Sequence, residues 1–432
     1  MKNVLVIGAG LAGVEAAFQI ARAGIPVTLA EMKPQKYSPA HSSPDLAELV
    51  CSNSFKAKRL SSAAGMLKAE MNLFNSVCLE AASKCTVPAG GALAVDREAF
   101  ARLVTKKVEQ EPLISLKREE IKAIPKNGVC LVAAGPLASE ALSESIAELC
   151  GQELNFFDAA APIVAADSID MDSAFYGSRY DRGGREDYIN CPLNREEYDL
   201  FHQHLLEAKT ARLHPFDSRK GFYEACLPIE VLAARGYDTL RFGPMRPVGL
   251  RDPKTGHRPW ALLQLRREDN YGKLLNLVGF QTNLTFPEQK RVFGLIPALK
   301  NAEYFRYGVM HRNTFINSPN LLKQDYSFKD RPGLFFAGQI TGVEGYMESA
   351  ASGILAGINA ARFVKGEDML TLPTSSMMGA LTAYISTLGL KDFQPMGANF
   401  GIIPALDEHI KDKKLRYQAM ADRGIKSIEN LL

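Results

Sequence analysis

The chain has 432 residues, 46% of them hydrophobic and 23% charged, with a formal net charge of +3. That composition excludes a disordered or fibrous chain, and the length leaves room for two or three domains with sizeable cores. No run of about 18 apolar residues occurs, so no membrane-spanning helix is expected, and the small positive charge permits a polyanionic partner without indicating one.

The N-terminal run N-V-L-V-I-G has the continuous apolar character of a buried parallel strand. It is too short for a signal h-region and carries no cleavage pattern. An Ala-rich helical pattern spans Leu11 to Ala23, and P-V-T-L-A-E forms the next strand. Residues 33–45 hold three prolines and read as a loop. Helical patterns follow at about 62–84 and 97–110, then strands at 113–124 and 129–134. The texture changes over 166–324, with polar inserts, a helix near 195–208 and strand-like runs W-A-L-L-Q-L and L-L-N-L-V-G-F. The α/β pattern returns in P-G-L-F-F-A-G-Q, a strand, and in a small-residue helix from Met347 to Phe363, and helices near 374–388 and 407–421 complete the chain. The expected division is therefore 1–165, an inserted domain 166–324, and 325–432.

The chemistry starts at G-A-G-L-A-G, residues 8–13, placed between a strand and a helix. Gly8 permits a tight turn, Gly10 lets a pyrophosphate approach the backbone, and Gly13 lets helix pack on strand. The helix N-terminus offers free N–H groups and positive dipole to phosphates. Glu31 ends the second strand, where an acid accepts ribose hydroxyls. These features fit NAD or FAD alike. Two later segments separate them. G-L-F-F-A-G-Q-I-T-G-V-E-G-Y-M-E-S-A-A-S-G resembles the second flavin-contact motif of glutathione-reductase-type flavoproteins, and V-C-L-V-A-A-G-P resembles their middle strand motif, with Ala134 in place of the usual Thr. The expected fold is α/β, a Rossmann-like, glutathione-reductase-type FAD-binding fold with an inserted α+β domain. The expected FAD contacts are Gly8, Ala9, Gly10, Leu11, Ala12, Gly13, Glu31, Gly135, Gly338 and Gln339.

Seven cysteines are scattered along the chain without a C-x-x-C pair. This argues against a disulfide framework, a zinc site and an ordinary disulfide reductase, and for reduced thiols in a cytoplasmic protein with no resident metal. Cys78, Cys85, Cys130 and Cys150 fall in helical or strand patterns and read as small core hydrophobes, and the context of Cys191 is uninformative. Two contexts differ: Cys51 in A-E-L-V-C-S-N-S, and Cys226 in F-Y-E-A-C-L-P-I-E, flanked by Glu224 and Glu230.

Longer segments carry a closer likeness. P-A-H-S-S-P-D-L-A-E-L-V-C-S-N-S, V-P-A-G-G-A-L-A-V-D-R, F-G-P-M-R-P-V-G-L, V-G-F-Q-T-N-L, M-H-R-N-T-F-I-N-S-P and Q-P-M-G-A-N-F-G resemble the folate- and FAD-dependent tRNA (uracil-5-)-methyltransferases, the TrmFO family. The resemblance runs over nearly the whole chain. It implies methylation at C5 of the T-loop uridine (position 54) of tRNA. Carbon would come from 5,10-methylenetetrahydrofolate, and FAD reduced by NADH or NADPH would supply electrons. It implies tRNA, through its T arm, and folate as partners, with no protein partner. It makes Cys226 the thiolate that adds at uracil C6, Cys51 a second essential thiol near the flavin, and Tyr346 the ring that stacks on the isoalloxazine. His311, Arg312 and Asn313 are candidates for holding folate or substrate. Phe55-Lys56 and Ala225 depart from the family's commoner Leu-Arg and Gly. The alternatives are an FAD-dependent oxidoreductase of a small substrate, or wobble-uridine modification of the kind carried out by the larger relative MnmG.

Overall fold

The computed structural model describes residues 3–151, 154–181, 183–184, 186–211, 227–390 and 393–432. A five-stranded, all-parallel sheet lies at its centre, in the order Leu334–Phe336, Val129–Val132, Val4–Ile7, Val27–Ala30, Ile114–Lys117. The strands are short, and all but the edge strand Ile114–Lys117 are largely apolar on both faces, as a sheet covered by helices requires. The chain runs outward from Val4–Ile7 through Val27–Ala30 to Ile114–Lys117, then crosses to the other side for Val129–Val132. Strand order therefore reverses beside Val4–Ile7, and the crevice beyond the carboxyl ends at such a point is where α/β sheets bind ligands. Gly8, Glu31, Gly135 and Gly338 each follow one of these strand ends.

The helices Leu11–Arg22 and Tyr346–Lys365 pack on this sheet and on each other. A Cβ on Gly353 would sit inside contact distance of the Ala12 backbone, and one on Gly357 would come within 2.6 Å of Ala16 Cα. Residues 12 and 16 rise with 353 and 357, so the two helices run parallel and aim their N-termini toward the same end.

The inserted part is a six-stranded antiparallel sheet, ordered Phe175–Tyr176, Tyr188–Leu193, Ala261–Arg267, Leu274–Leu277, Ile163–Ala165, Tyr304–Arg306. It takes in Ile163–Ala165, upstream of residue 166, and its last strand ends at Arg306. A two-stranded ribbon, Leu154–Ala159 with Met310–Phe315, links it to the parallel sheet. Period-two alternation makes the larger sheet two-faced. Ile189, Cys191, Leu263, Leu265, Leu275 and Leu277 join the core under the helix Arg195–Leu206. Asn190, Gln264, Arg266 and Asn276 point the other way.

Three expected elements differ from the fold. The pattern at 62–84 is two helices, Ala63–Leu73 and Val77–Lys84, parted at Asn75, whose φ is +55°. Buried Glu15 holds the second N-terminus there, its carboxylate accepting from the N–H groups of Val77 and Cys78. The strand expected over 113–124 is confined to Ile114–Lys117, where pairing with Val27–Ala30 ends. The last helix is Lys413–Glu429 rather than 407–421, because Asp412 caps it by accepting from Leu415 N–H. Among the described residues no helix is long and apolar enough to cross a membrane.

The helix–helix contact makes a direct test. Gly353→Val is expected to lower stability by at least about 1–3 kcal/mol, read as a lower urea midpoint. Gly91→Ala, where an added Cβ meets nothing within 4 Å, should leave the midpoint unchanged.

Candidate functional site

A cleft opens at the carboxyl ends of the parallel strands. Gly8, Ala9, Gly10, Leu11, Ala12, Glu31, Gly135, Gly338, Gln339 and Tyr346 all line it. Gly13 does not. A Cβ there would collide with Gly8 O, so its smallness serves helix-on-strand packing. Gly8 has φ +96°, and a Cβ on it would press to 2.6 Å on Ala133 O. A Cβ on Gly10 would meet no protein atom within 4 Å, which leaves the backbone bare on the cleft side. The first-turn N–H groups of Leu11–Arg22 have no partner within the helix and face a site suited to phosphate. Glu31 Oε2 accepts from Ala9 N–H and Oε1 from Lys33 N–H, each at 3.0 Å. The carboxylate thus shapes the glycine turn and keeps lone pairs for hydroxyl donors. Bare glycine, helix N-terminus and acid together fit a dinucleotide such as FAD.

A second cavity adjoins the first. The two share Val50, Pro136, Leu137, Gln339 and Tyr346 as walls. The second also takes in Cys51, Lys56, Gln281, Asn313, Gly345 and Glu348. It lies between the cofactor-binding part and Gln281 and Asn313 of the inserted part. Cys51 is pinned there through its backbone. Its N–H donates to Tyr346 Oη at 2.8 Å, and the Ser52 N–H donates to the same oxygen at 3.1 Å. Its carbonyl accepts from Arg97 Nη2 at 3.3 Å, and its Sγ lies 4.0 Å from Ala159 O. Burial, with Cys51 adding to it, holds the Tyr346 phenol well above its ordinary pKa, so this hydroxyl stays neutral. The Tyr346 ring stands edge-on to Phe55, with centroids 5.9 Å apart.

The loop that carries Cys51 is clamped from the far side by the inserted sheet. Arg266 donates to Asn53 Oδ1 at 3.0 Å and to Ser52 Oγ at 3.1 Å. Asn53 Nδ2 donates to Arg267 O at 2.9 Å. Arg97 forms a two-point ion pair with Glu268, at 2.6 and 3.2 Å. A planar guanidinium fork suits this pairing, which is also largely shielded from water.

The remaining expected residues divide. Asn313 is buried and lines the second cavity. His311 and Arg312 lie in the strand Met310–Phe315, and their side chains fall outside what the structure describes. Cys226 also lies outside the described residues. The chain on either side of residues 212–226 is anchored close to the second cavity: Ala211 N–H donates to Asn283 O at 2.8 Å, and Ile229 N–H donates to Gln281 O at 2.7 Å. Burial pushes the thiols of Cys78, Cys85, Cys130 and Cys191 up, Cys130 to about 12, which marks them as inert.

Several site residues escaped the sequence reading. Lys33, inside the proline-rich loop, bonds Glu48 at 3.1 Å and lines the first cleft. Lys56, at φ +62°, pairs with Glu348 at 2.8 Å on the wall of the second cavity. Arg97, Arg266 and Glu268 meet across a domain boundary. No local spacing signals such contacts, because the groups that meet come from distant parts of the chain.

A family model described as "Glucose inhibited division protein A" matches residues 3–368. The "Methylenetetrahydrofolate--tRNA-(uracil-5-)-methyltransferase TrmFO" of Halalkalibacterium halodurans is 55% identical over 431 residues, covering 100% of this chain and 98% of that protein. The protein of the same name from Brevibacillus brevis is 55% identical over 429 residues, covering 99% and 98%. Among solved structures, Aquifex aeolicus GidA in its form I crystal superposes with a TM-score of 0.73 at 18% identity, covering 100% of this chain and 75% of that one. That likeness speaks for the fold.

Removing the acceptor that pins Cys51 should be felt without loss of the cleft. Tyr346→Phe leaves two N–H groups unsatisfied and is expected to cost about 1–3 kcal/mol of stability, read by denaturant unfolding. Flavin absorbance of the purified protein should persist.

Proposed function

Because this chain belongs to the TrmFO methyltransferases within the GidA family, we infer that it methylates uracil in tRNA at C5 with carbon from methylenetetrahydrofolate. It is a flavoprotein, and bound FAD supplies the electrons that convert the transferred methylene into a methyl group. NADH or NADPH is the source of those electrons. We place the target in the T arm, at position 54. The relatives' shared name points to uracil methylation, and neither a small-substrate oxidoreductase nor a wobble-uridine modification is favoured.

One observation carries the reading of the site: the Cys51 cavity opens directly from the dinucleotide cleft, with Tyr346 and Gln339 as common walls. A cofactor lying in the first reaches a substrate lying in the second. Uracil C5 is a weak nucleophile until a thiolate adds at C6 and turns C5 into an enolate carbon. We assign that thiolate to Cys226. The described flanks support the assignment, since Ile229 is bonded to Gln281, which lines the Cys51 cavity. Cys51 then serves as the base that removes the C5 proton. Tyr346 and Arg97 fix its backbone on both sides, so the thiol is positioned before substrate arrives. Asn313, with His311 and Arg312 on the same strand, holds folate or the base beside the flavin.

Incubation with unmodified tRNA, methylenetetrahydrofolate and NADPH is expected to yield ribothymidine. Cys226→Ala should abolish methylation by removing the nucleophile. Cys51→Ala should retain bound FAD and lose the greater part of the rate. Full activity of either variant would overturn its assignment, and formation of hydrogen peroxide alone from NADPH would overturn the reaction itself.

A further inference from the structure

Away from the two cavities described above, a further pocket opens beside the edge strand Phe175–Tyr176 of the inserted sheet. Arg251 and Arg258 line it together with Tyr176, Gly183, Gly184 and Gly249. No acidic residue is among its described walls. Both arginines are exposed. Arg251 donates to Gly256 O at 3.2 Å, and neither arginine has an ion-pair partner among the described residues. The acids of the adjoining loop are engaged elsewhere. Asp187 Oδ2 accepts from Gly90 N–H at 2.7 Å and from Gly184 N–H at 3.0 Å, and Glu186 lies 3.6 Å from Arg267. The pocket therefore presents two open guanidinium forks with no carboxylate to answer them.

Aromatic rings stand beside these cations. Tyr176 and Tyr180 are 48% and 51% exposed. Tyr180 has φ +56°, a left-handed conformation uncommon for a bulky residue. Its N–H donates to Gly249 O at 3.1 Å, and its hydroxyl accepts from Arg246 Nη2 at 2.9 Å. A Cβ on Gly249 would come within 3.1 Å of three Tyr180 ring atoms, so the ring rests against that glycine on the pocket rim. Backbone held in this way clusters at ligand sites. A planar guanidinium fork matches phosphate oxygens two at a time. Exposed aromatic rings take unstacked bases, and walls without acids do not repel a polyanion. Paired forks and open rings together fit a looped stretch of RNA, which offers phosphates and unpaired bases side by side.

One hairpin, Thr86–Val95, joins this pocket to the Cys51 cavity. On the pocket side, a Cβ on Gly183 would come within 2.6 Å of Gly90 Cα, and the Tyr188 hydroxyl donates to Ala89 O at 3.1 Å. On the cavity side, Gly91 O accepts from Lys58 N–H at 3.0 Å, and the strand Ser54–Ala57 pairs with Ala92–Val95. Ser54 and Lys56 of that strand are walls of the cavity. Lys58 is exposed and has no ion-pair partner among the described residues, which continues the positive track along the hairpin. We propose that this pocket is a tRNA contact site, in which Arg251 and Arg258 hold backbone phosphates and Tyr176 stacks on an unpaired base while the target uridine occupies the Cys51 cavity. This rests on the methyltransferase reading. The inserted sheet thereby acts as the part of the chain that grips the RNA beside the reacting base.

The test measures binding of unmodified tRNA to the full-length FAD-loaded protein over a range of salt concentrations, with ribothymidine formation followed in parallel. If the parent binds tRNA but forms no ribothymidine, the methyltransferase reading fails and the contact site stands. If it does not bind tRNA, the contact site fails as well. The double variant Arg251→Gln/Arg258→Gln is expected to bind tRNA at least about tenfold more weakly. Its plot of log affinity against log salt should be flatter by about 2, one for each phosphate released. Arg251→Lys/Arg258→Lys should keep the slope and recover part of the affinity. Tyr176→Leu should weaken binding by about fivefold or more with the slope unchanged, since stacking carries no counterion release. In every case the loss should lie in KM for tRNA rather than in kcat. Lys106→Gln/Lys426→Gln, which removes equal charge from exposed positions elsewhere, separates this pocket from a general effect of net charge. The proposal is overturned if the arginine double variant binds tRNA within threefold of the parent, if its salt slope is unchanged, if the lysine double variant loses as much, or if the loss falls on KM for NADPH, which would make the pocket a site for the dinucleotide.

Discussion

The helices Leu11–Arg22 and Tyr346–Lys365 touch backbone to backbone, and the rest of the site depends on that contact. Gly353 and Gly357 lie directly against Ala12 and Ala16, so no side chain separates the two helices. Their parallel course brings two helix N-termini to the carboxyl edge of one sheet. Each N-terminus contributes bare N–H groups and partial positive charge. Gly338, whose N–H donates to Ser352 Oγ at 2.7 Å, ties the last parallel strand to the same helix pair. Residues from opposite ends of the chain, Gly10 and Tyr346, become walls of one cleft.

A second constraint acts across the domain boundary. The inserted sheet needs only one apolar face for its own core, and alternation leaves the other face polar. That face lands on the Cys51 loop, where Arg266, Asn53, Arg97 and Glu268 interlock. Most of these polar groups are satisfied, which holds the loop rigidly and sets Cys51 by its backbone. Satisfied groups position the thiol.

The same division separates the cysteines. Cys78, Cys130 and Cys191 lie in apolar cores that disfavour the thiolate. Cys51 lies on a wall that polar groups organise. Residue type alone would have assigned it to the core like the others, and its half-exposed place between two domains sets it apart.

The glycine turn, the acid at the end of the second strand and the flavin-type strand motifs were legible in the sequence, because each depends on residues within about thirty positions. So was the family likeness, carried by long uninterrupted segments. The break at Asn75 was not, since Glu15 stabilises that helix start from sixty residues away. The roles of Lys56, Arg97 and Glu268 were not legible either. A charged residue reads as solvated surface until something shows what it is folded against. The sequence by itself determined the kind of cofactor cleft and the reactive residue types. Only the tertiary structure decided which charges were taken out of water beside Cys51, because burial and pairing belong to contacts between distant segments and leave no trace in local spacing.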